Sequence, residues 1–432
     1  MKLAFQHIAL SGRWLLIGLS LLIWVGIISL FITIGYEETW KIWNIPTQMP
    51  PFMDFRLIPG TAATIRMGLD PTISNPGDPL GRLFNYPKVW YLLFYTGVSQ
   101  NDTIWVVIPL IILFFISVFA FPGEVKVFDV LLILSIIFSP AAMFLYERGN
   151  VDLIFFTLCA LALMIMDFSI YASLTLVLIG AVFKIYPFFM MSVYFNQEKK
   201  RFWYLVLAGL LIFGAYTLLS WNDFRTDWNI TQRGFDYSYG ANVIILHFRH
   251  ELNVFLLNTF SHGWTDRLLD FGPYIIAIFI FLIAVVLGSR SSITSGSHNQ
   301  RNLAAFRLGA SIYIGTFLMG NNWDYRLVFL VFTLPQISEW ARTRGERMRS
   351  LAILNIAMMF IACWYLVISL LLNNFGLLGV LKDPLFLFDE IAKWGMFMGL
   401  TILFFASAPE WLKSIDTFLH IARKPDILEN MV

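Results

Sequence analysis

The stretch WLLIGLSLLIWVGIISLFITI occupies residues 14–34 without a single charged residue, and Gly35, Tyr36 and two glutamates follow it. A helix needs about 20 apolar residues to cross the hydrocarbon core of a bilayer, and this stretch meets that requirement. It exceeds the roughly 7–15 apolar residues of a signal-peptide core, and no small-residue cleavage site follows it. The stretch therefore predicts a first membrane-spanning helix.

The composition of the whole chain places it in the same class. Of its 432 residues, 58% are hydrophobic and 13% are charged, and the mean hydropathy is +0.71. Soluble proteins carry roughly 25% charged and 45–50% apolar residues, so a soluble, disordered or fibrous protein is excluded. The net charge of +2 gives no indication of a nucleic-acid partner. The two cysteines, Cys159 and Cys363, lie in apolar runs and predict neither a disulfide nor a thiolate metal site.

Apolar runs recur almost to the end of the chain and predict an all-α polytopic membrane protein with about twelve transmembrane helices. The predicted spans are 14–35, 86–99, 103–121, 127–145, 151–167, 170–190, 202–220, 272–289, 304–320, 326–340, 350–372 and 391–407. The second and the tenth are short for a span. A further apolar stretch, 243–260, is interrupted by four polar residues and is predicted to be interfacial or re-entrant; they are His247, Arg249, His250 and Glu251.

Basic residues in the short loops predict the orientation of the chain. Alternating the spans places all of the basic clusters named below on one side of the membrane, together with both termini. By the positive-inside rule, that side is the cytoplasm. We therefore predict a multi-pass protein of the cytoplasmic (inner) membrane, with one domain over residues 1–432 and a cytoplasmic tail at 408–432. The residues that set this orientation are Lys2, Arg13, Lys199, Lys200, Arg201, Arg290, Arg301, Arg307, Arg342, Arg344, Arg347, Arg349, Lys413, Arg423 and Lys424.

Two long loops fall on the opposite, periplasmic or external, side of the predicted topology. They cover about 36–87 and 221–271 and are rich in Trp, Tyr, Pro, Asn and Asp. Loops of that length are uncommon as plain connections and usually carry function. The functional site of the protein is therefore predicted to lie on the external side.

The first long loop combines an acidic residue with an amphipathic stretch. Asp54 is followed by a segment, 56–69, whose apolar and polar residues alternate with helical spacing. A helix of that kind can lie in the membrane interface and would hold Asp54 at the external membrane surface. Alternatively, Asp54 only caps the N-terminus of the helix, and the local sequence leaves both interpretations open.

The same loop shows a resemblance to a known enzyme group. Asp54, then Ala62 and Ala63, then Gly68 shortly before Pro71, resemble the first external loop of C-type (GT-C) glycosyltransferases. Within that group the chain looks most like glycosyltransferase family 87, the polyprenyl-phosphate-dependent mannosyltransferases. The resemblance extends over about residues 14–334.

Later segments follow the motifs of that family in the same order, with departures. Residues 85–87 (NYP) resemble its Tyr-Pro-Pro element, although Lys88 replaces the second proline. Residues 149–153 (GNVDL) resemble Gly-Gln-x-Asn-Leu with two substitutions, and 183–188 (FKIYPF) match Lys-x-x-Pro. Residues 240–242 (GAN) resemble Gly-Asn-x-Ser without the serine. Residues 322–326 (NWDYR) resemble Ser-Trp-x-His-His without either histidine, which leaves the sugar and the acceptor open.

The resemblance implies a reaction and its partners. Such enzymes transfer a sugar, mannose by default, from a polyprenyl-phosphate donor to a hydroxyl of a glycolipid or glycan acceptor, with inversion, outside the cytoplasmic membrane. Asp54 matches the general base, which takes the proton of the acceptor hydroxyl. The phosphate leaves without a general acid, so cations must stabilise its charge. Membrane lipids are the other expected partners, and neither nucleic acid nor a cofactor is expected. No Asp-x-Asp pair or His/Cys spacing indicates a tightly bound metal.

Several polar residues are candidates for binding the substrates. Lys184, inside an apolar run, forms either part of the site or a structural ion pair near Glu147, Arg148 and Asp152. Arg56 binds the phosphate or extends toward lipid headgroups. The full set of candidates is Arg56, Arg66, Tyr86, Lys184, Asn242, His250, Asn322, Trp323, Asp324 and Arg326.

Two other functions compete with catalysis. A membrane transporter or flippase would also need many spans, but the sequence shows no inverted repeat and no matching pair of broken helices. An inactive scaffold of the same fold is the third possibility, and the presence of Asp54 argues against it.

Overall fold

The computed structural model describes residues 2–121, 123, 125–234, 236–257, 262–291, 299–343 and 346–413. Part of the predicted cytoplasmic tail, 414–432, lies outside the described residues, as do residues 258–260 of the predicted interfacial stretch. Of the basic residues used for the orientation, Arg344, Arg423 and Lys424 are also outside them.

The described residues are almost entirely helical, as predicted. The α-helices are α1 (Lys2–Thr33), α2 (Tyr36–Lys41), α3 (Met53–Arg66), α4 (Thr103–Ala120), α5 (Val127–Ile137), α6 (Pro140–Arg148), α7 (Asp152–Ile165), α8 (Ile170–Phe183), α9 (Lys199–Leu219), α10 (Trp221–Ile230), α11 (Val243–His247), α12 (Arg249–Leu257), α13 (His262–Ser289), α14 (Gln300–Leu318), α15 (Leu334–Arg342), α16 (Glu346–Asn374), α17 (Leu378–Ala406) and α18 (Glu410–Lys413). Short 3-10 helices cover Lys88–Thr96, Gln100–Asp102, Tyr186–Asn196 and Asp324–Thr333. Strands β1 (Ser238–Tyr239) and β2 (Asn322–Trp323) form one antiparallel pair.

Five of these helices are long and apolar enough to cross a membrane. They correspond to α1, α4, α9, α13 and α16, and the pair α5 and α6, bent by 51°, makes a sixth if it counts as one span. Large apolar side chains such as Leu21, Leu211 and Phe279 remain exposed on their outer faces. Lipid is the solvent that accepts such surfaces, so the chain is an all-α membrane protein.

The other six predicted spans are not confirmed as membrane crossings. Helices α7 and α8 have only 14 residues each. The run 170–190 does not form one helix, because Lys184 adopts an extended conformation after α8. Helices α14 and α17 are long enough but bury charged side chains against the protein, including Arg307 and Lys393. A helix that is enclosed by other helices need not be apolar on all sides. This explains why α14 and α17 carry charged residues that lipid-exposed spans lack.

Helix α3 is the amphipathic helix predicted in the first long loop, but its surroundings differ from the expectation. Ten of its 14 residues are buried, so protein covers it on most sides and it does not rest on an open interface. Its middle touches the later part of the same loop, where a Cβ on Gly60 would lie 2.7 Å from the carbonyl oxygen of Gly77. The helix is therefore a fixed part of the protein interior.

The strand pair joins the second long loop to the segment after α14. Ser238 pairs with Trp323 and Tyr239 pairs with Asn322. Just beyond, Gly240 has φ +136, and a Cβ there would lie 1.5 Å from the carbonyl oxygen of Gly320. Only glycine fits so close an approach. Two segments that are distant in sequence are thus held side by side.

Cysteine labelling tests the predicted orientation. Both native cysteines are buried, so introduced cysteines should dominate the signal. Ser74 and Lys200 are exposed and lie on opposite sides in the predicted topology. We expect a membrane-impermeant maleimide to label Ser74→Cys in intact cells and to label Lys200→Cys only after permeabilisation. Labelling of Lys200→Cys in intact cells, with Ser74→Cys protected, would reverse the orientation.

Candidate active site

Two adjoining cavities lie where the two long loops meet the segment after α14. The Asp54 cavity, lined by Asp54, Arg82, Arg148 and Asn150 among others, has a volume of about 550 Å³. The Lys184 cavity, lined by Lys184, Arg326 and residues of α10, has a volume of about 470 Å³. Both are within the size range of small-ligand sites. Residues that line both cavities form their common wall: Asn85, Tyr86, Thr231, Gln232, Trp323 and Tyr325.

Asp54 enters its cavity from the first turn of α3, with a side chain that is 20% exposed. Arg82 Nη1 lies 3.2 Å from Oδ1, and Asn150 Nδ2 donates to Oδ2 at 2.7 Å. Phe52 occupies the N-cap position, and no side chain caps this helix. The capping interpretation of Asp54 is therefore wrong, and its carboxylate is instead oriented by two fixed donors and partly open to the cavity.

Arg82 is itself anchored on both sides of that carboxylate. It pairs with Asp78 at 2.9 Å and donates to the carbonyl oxygen of Met53 at 2.6 Å. Because these contacts fix the guanidinium, Arg82 holds Asp54 in one orientation.

The tight turn between α6 and α7, residues 149–152, links the two cavities through Asn150 and Asp152. Gly149 ends α6 with φ +56, and a Cβ there would lie 2.8 Å from the Cβ of Phe52. Asn150 contacts Asp54 and also donates to the hydroxyl of Tyr325 at 3.0 Å. Two residues later, Asp152 begins α7 and binds Lys184 and Arg326, which line the second cavity. The turn therefore fixes the distance between the two sites.

Asp152 binds two cations at the wall of the Lys184 cavity. It is fully buried; its Oδ1 pairs with Lys184 Nζ, and its Oδ2 lies 3.0 Å from Arg326 Nε. Arg326 also donates to the side chain of Asn322. The ion pair considered for Lys184 is thus present, and the same side chain lines the cavity. Because the single carboxylate of Asp152 neutralises only one of the two cations, one positive charge remains. This charge favours an anionic ligand.

Helix α10 and the residues just after it add further charges to the same wall. Arg225 and Arg233 line the Lys184 cavity with Asp227, so its lining contains four basic residues and one acidic residue. The guanidinium of Arg233 lies 4.3 Å from the ring centre of Trp228. The excess of positive charge extends along the cavity and supports the binding of a phosphate group.

Asp227 is the one acidic residue of that lining. Its Oδ2 is buried and has no hydrogen-bond partner among the described residues. Burial, with a smaller contribution from Asp223, raises the pKa of Asp227 to about 7, whereas Lys88 opposes the shift. A buried polar atom without a partner is costly, so a ligand that forms a hydrogen bond with this carboxyl group would remove that cost.

The structure brings six of the eleven sequence candidates to the cavities and leaves five outside them. Asp54, Tyr86, Lys184, Asn322, Trp323 and Arg326 line one or both cavities. Arg56 is buried elsewhere and donates to Pro51 O at 2.8 Å and Gln100 O at 3.0 Å. Arg66 and His250 are exposed, Asn242 is buried at the start of α11, and none of these three lines either cavity.

Asp324, the remaining candidate, points away from the cavities into a buried ionic cluster. Lys393 Nζ lies 3.2 Å from Asp324, 2.6 Å from Asp389 and 3.5 Å from Glu390. The same amine donates to the carbonyl oxygen of Ser238 at 2.7 Å. Lys393 therefore anchors β1 and the segment after β2, and through them it positions Trp323 in the common wall.

Several residues that the structure places at the site were not among the candidates chosen from the sequence. Asn150 and Asp152 stood in a recognised motif and are polar residues between apolar helices, which was a usable signal. Arg82 and Asp227 had no comparable signal, because single charged residues are common in long loops. Only the folded chain shows that they reach the cavities.

Within the described ranges, no group of three or more His, Cys, Asp or Glu side chains is arranged to hold a metal ion. No protein-family model, curated protein or solved structure matches this chain.

Replacing Lys393 tests the anchoring cluster. We expect Lys393→Met to cost about 3–5 kcal/mol of stability, because it leaves three buried carboxyl groups without their cation. Thermal unfolding in detergent should show a markedly lower Tm. Lys382→Met is the matched control, since Lys382 is exposed on the same helix and should leave the Tm unchanged. An unchanged Tm for Lys393→Met would contradict the anchoring role.

Proposed function

We propose that this protein is a lipid-phosphate-dependent glycosyltransferase of the GT-C type. It transfers a monosaccharide, mannose by default, from a polyprenyl-phosphate donor to a hydroxyl of a glycolipid or glycan acceptor, with inversion. The observation that carries the proposal is the pair of adjoining cavities, one with an oriented carboxylate and the other with a pair of cations. The reaction needs both groups on opposite sides of one sugar carbon.

The Lys184 cavity has the chemistry of a donor site. Lys184 and Arg326 retain a net positive charge beside Asp152, and Arg225 and Arg233 add to it. A phosphate diester bound there gains negative charge as its bond to the sugar breaks. Fixed cations stabilise that charge more strongly in the transition state than in the ground state.

The Asp54 cavity has the chemistry of an acceptor site. Asp54 is held by Arg82 and Asn150, and it keeps an open edge toward the cavity. An acceptor hydroxyl within hydrogen-bond reach would give its proton to this carboxylate. Amide and aromatic groups such as Gln232 and Trp323 line the same space and suit a polyol.

The reaction is a single displacement at the common wall of the two cavities. The acceptor oxygen forms a bond to the anomeric carbon, its proton moves to Asp54, and the bond from that carbon to the phosphate oxygen breaks. The lipid phosphate leaves with the electron pair toward Lys184 and Arg326. Attack from the side opposite to the leaving group inverts the anomeric configuration.

The proposal also includes the arrangement in the membrane. The five or six apolar helices, together with helices enclosed by them such as α7, α8, α14 and α17, would give about twelve crossings. The Asp54 end would then face the outside of the cytoplasmic membrane, where the positive-inside rule places the two long loops. The lipid tail of the donor would lie between helices in the bilayer.

A transfer assay with matched variants tests the function. Purified protein receives polyprenyl-phosphate-linked mannose, glucose or arabinose with membrane lipid extract as acceptor, and the release of free polyprenyl phosphate is followed. We expect wild-type protein to release it from one donor. Asp54→Asn should lower kcat by about a hundredfold or more, because loss of a general base removes roughly 10²–10⁴-fold of rate.

The control is Asp70→Asn in the same loop. Asp70 is exposed, contacts Thr72 locally and lines neither cavity, so its activity should equal that of wild type. Equal rates for wild type and Asp54→Asn would remove Asp54 from the mechanism. Movement of an intact lipid-linked sugar across vesicles, without release of polyprenyl phosphate, would identify a transporter or flippase instead.

A further inference from the structure

The side of the Lys184 cavity that α10 forms combines aromatic rings with one acidic group. Trp221, Phe224 and Trp228 lie at helical spacing on α10, and Asp227 sits among them. Aromatic faces pack against the C–H face of a sugar ring, and carboxylates bind its hydroxyl groups. The wall therefore has both parts of a carbohydrate-recognition surface.

The position of α10 places this surface beside the reacting centre. Thr231 and Gln232, just after α10, line both cavities, and Thr231 Oγ1 donates to the carbonyl oxygen of Asp227 at 2.6 Å. Asp227 is thus one helical turn away from the common wall. A sugar whose anomeric carbon lies at that wall would extend along α10, with its phosphate toward Lys184.

Asp227 and its neighbour Asp223 differ in their partners. Asp223, one turn earlier on the same helix, pairs with Lys88 at 2.8 Å and does not line the cavity. In the described part of the chain, Asp227 Oδ2 has no such partner although it is buried. The two carboxyl groups therefore differ in role, one holding α10 to the first long loop and the other facing the cavity.

We propose that Asp227 binds a hydroxyl group of the donor sugar and so determines which sugar the Lys184 cavity accepts. This inference rests on the proposed function, because it assigns the Lys184 cavity to the donor. A site built to hydrogen-bond a hydroxyl discriminates against ligands that lack it, since the buried polar group then stays unpaired. The aromatic residues add affinity, and the carboxyl group adds selectivity.

The test measures binding and does not depend on turnover. The affinities of purified protein for a short-chain polyprenyl phosphate and for the same lipid carrying mannose, glucose or arabinose are compared. For each sugar, the affinity for the sugar-bearing lipid divided by the affinity for the bare lipid defines the contribution of the sugar. We expect one sugar to improve the affinity of wild-type protein about tenfold to a hundredfold, as for a hydrogen bond to a charged group.

The variants then assign that contribution to one residue. Asp227→Ala should abolish the sugar contribution and leave the affinity for bare polyprenyl phosphate unchanged. Asp227→Asn, which retains hydrogen-bonding groups, should restore part of it. Asn229→Ala is the matched control, since Asn229 is exposed on the same helix and lines neither cavity, and it should keep the full contribution. A structural role for Asp227 would instead weaken the sugar-bearing and bare lipids equally.

Three results would overturn the inference. They are an equal effect of Asp227→Ala on both lipids, no effect on either lipid, or a wild-type protein that gains nothing from any sugar. If the proposed function fails and this inference holds, the sugar contribution depends on Asp227 although the transfer assay releases no polyprenyl phosphate. The two ideas are therefore tested separately.

Discussion

The buried carboxylate of Asp152 is the interaction on which the site depends. It sits at the start of α7 and binds Lys184, from the break after α8, and Arg326, from the segment after β2. A single buried cation in this interior would be very costly, and the shared carboxylate makes two of them tolerable. Three parts of the chain are thereby joined at one point, and the remaining positive charge faces a cavity.

The neighbouring turn connects this anchor to the second site. Asn150 lies two residues before Asp152 and holds Asp54 and Tyr325, so the two cavities keep a fixed relation. A separate anchor, Lys393 with its three carboxyl groups, holds the strand pair that carries Trp323. These two buried ionic clusters thus hold segments that line the cavities.

The sequence predicted the class of fold and singled out several residues that line the two cavities, for identifiable reasons. Lipid-exposed helices such as α1 and α13 were predictable because lipid requires long, uninterrupted apolar runs. The helices α14 and α17 were harder to interpret, because protein surrounds them and tolerates charges such as Arg307 and Lys393. Lys184 was found because a charged residue stands out in an apolar run, and Asp54 because it precedes an amphipathic stretch and matches the motif of the family that the chain resembles.

The pairing of those residues could not be read from the sequence. Arg82 reaches Asp54 only because the first long loop folds back on α3, and Asp227 reaches the cavity only because α10 lies beside it. Conversely, Arg56 is next but one to Asp54 in sequence, yet its guanidinium contacts Pro51 and Gln100. Proximity along a helix does not determine which side chains meet in space.

The central claim is that one sugar lies between Asp54 and the cations beside Asp152. A cryo-electron microscopy structure with a non-transferable donor analogue, in which a methylene group replaces the glycosidic oxygen, tests it most directly. The account predicts the phosphorus group within hydrogen-bond distance of Lys184 and Arg326, with the anomeric carbon facing Asp54. A headgroup bound away from both cavities, or a phosphorus group beside Asp54 with the sugar directed elsewhere, would contradict it.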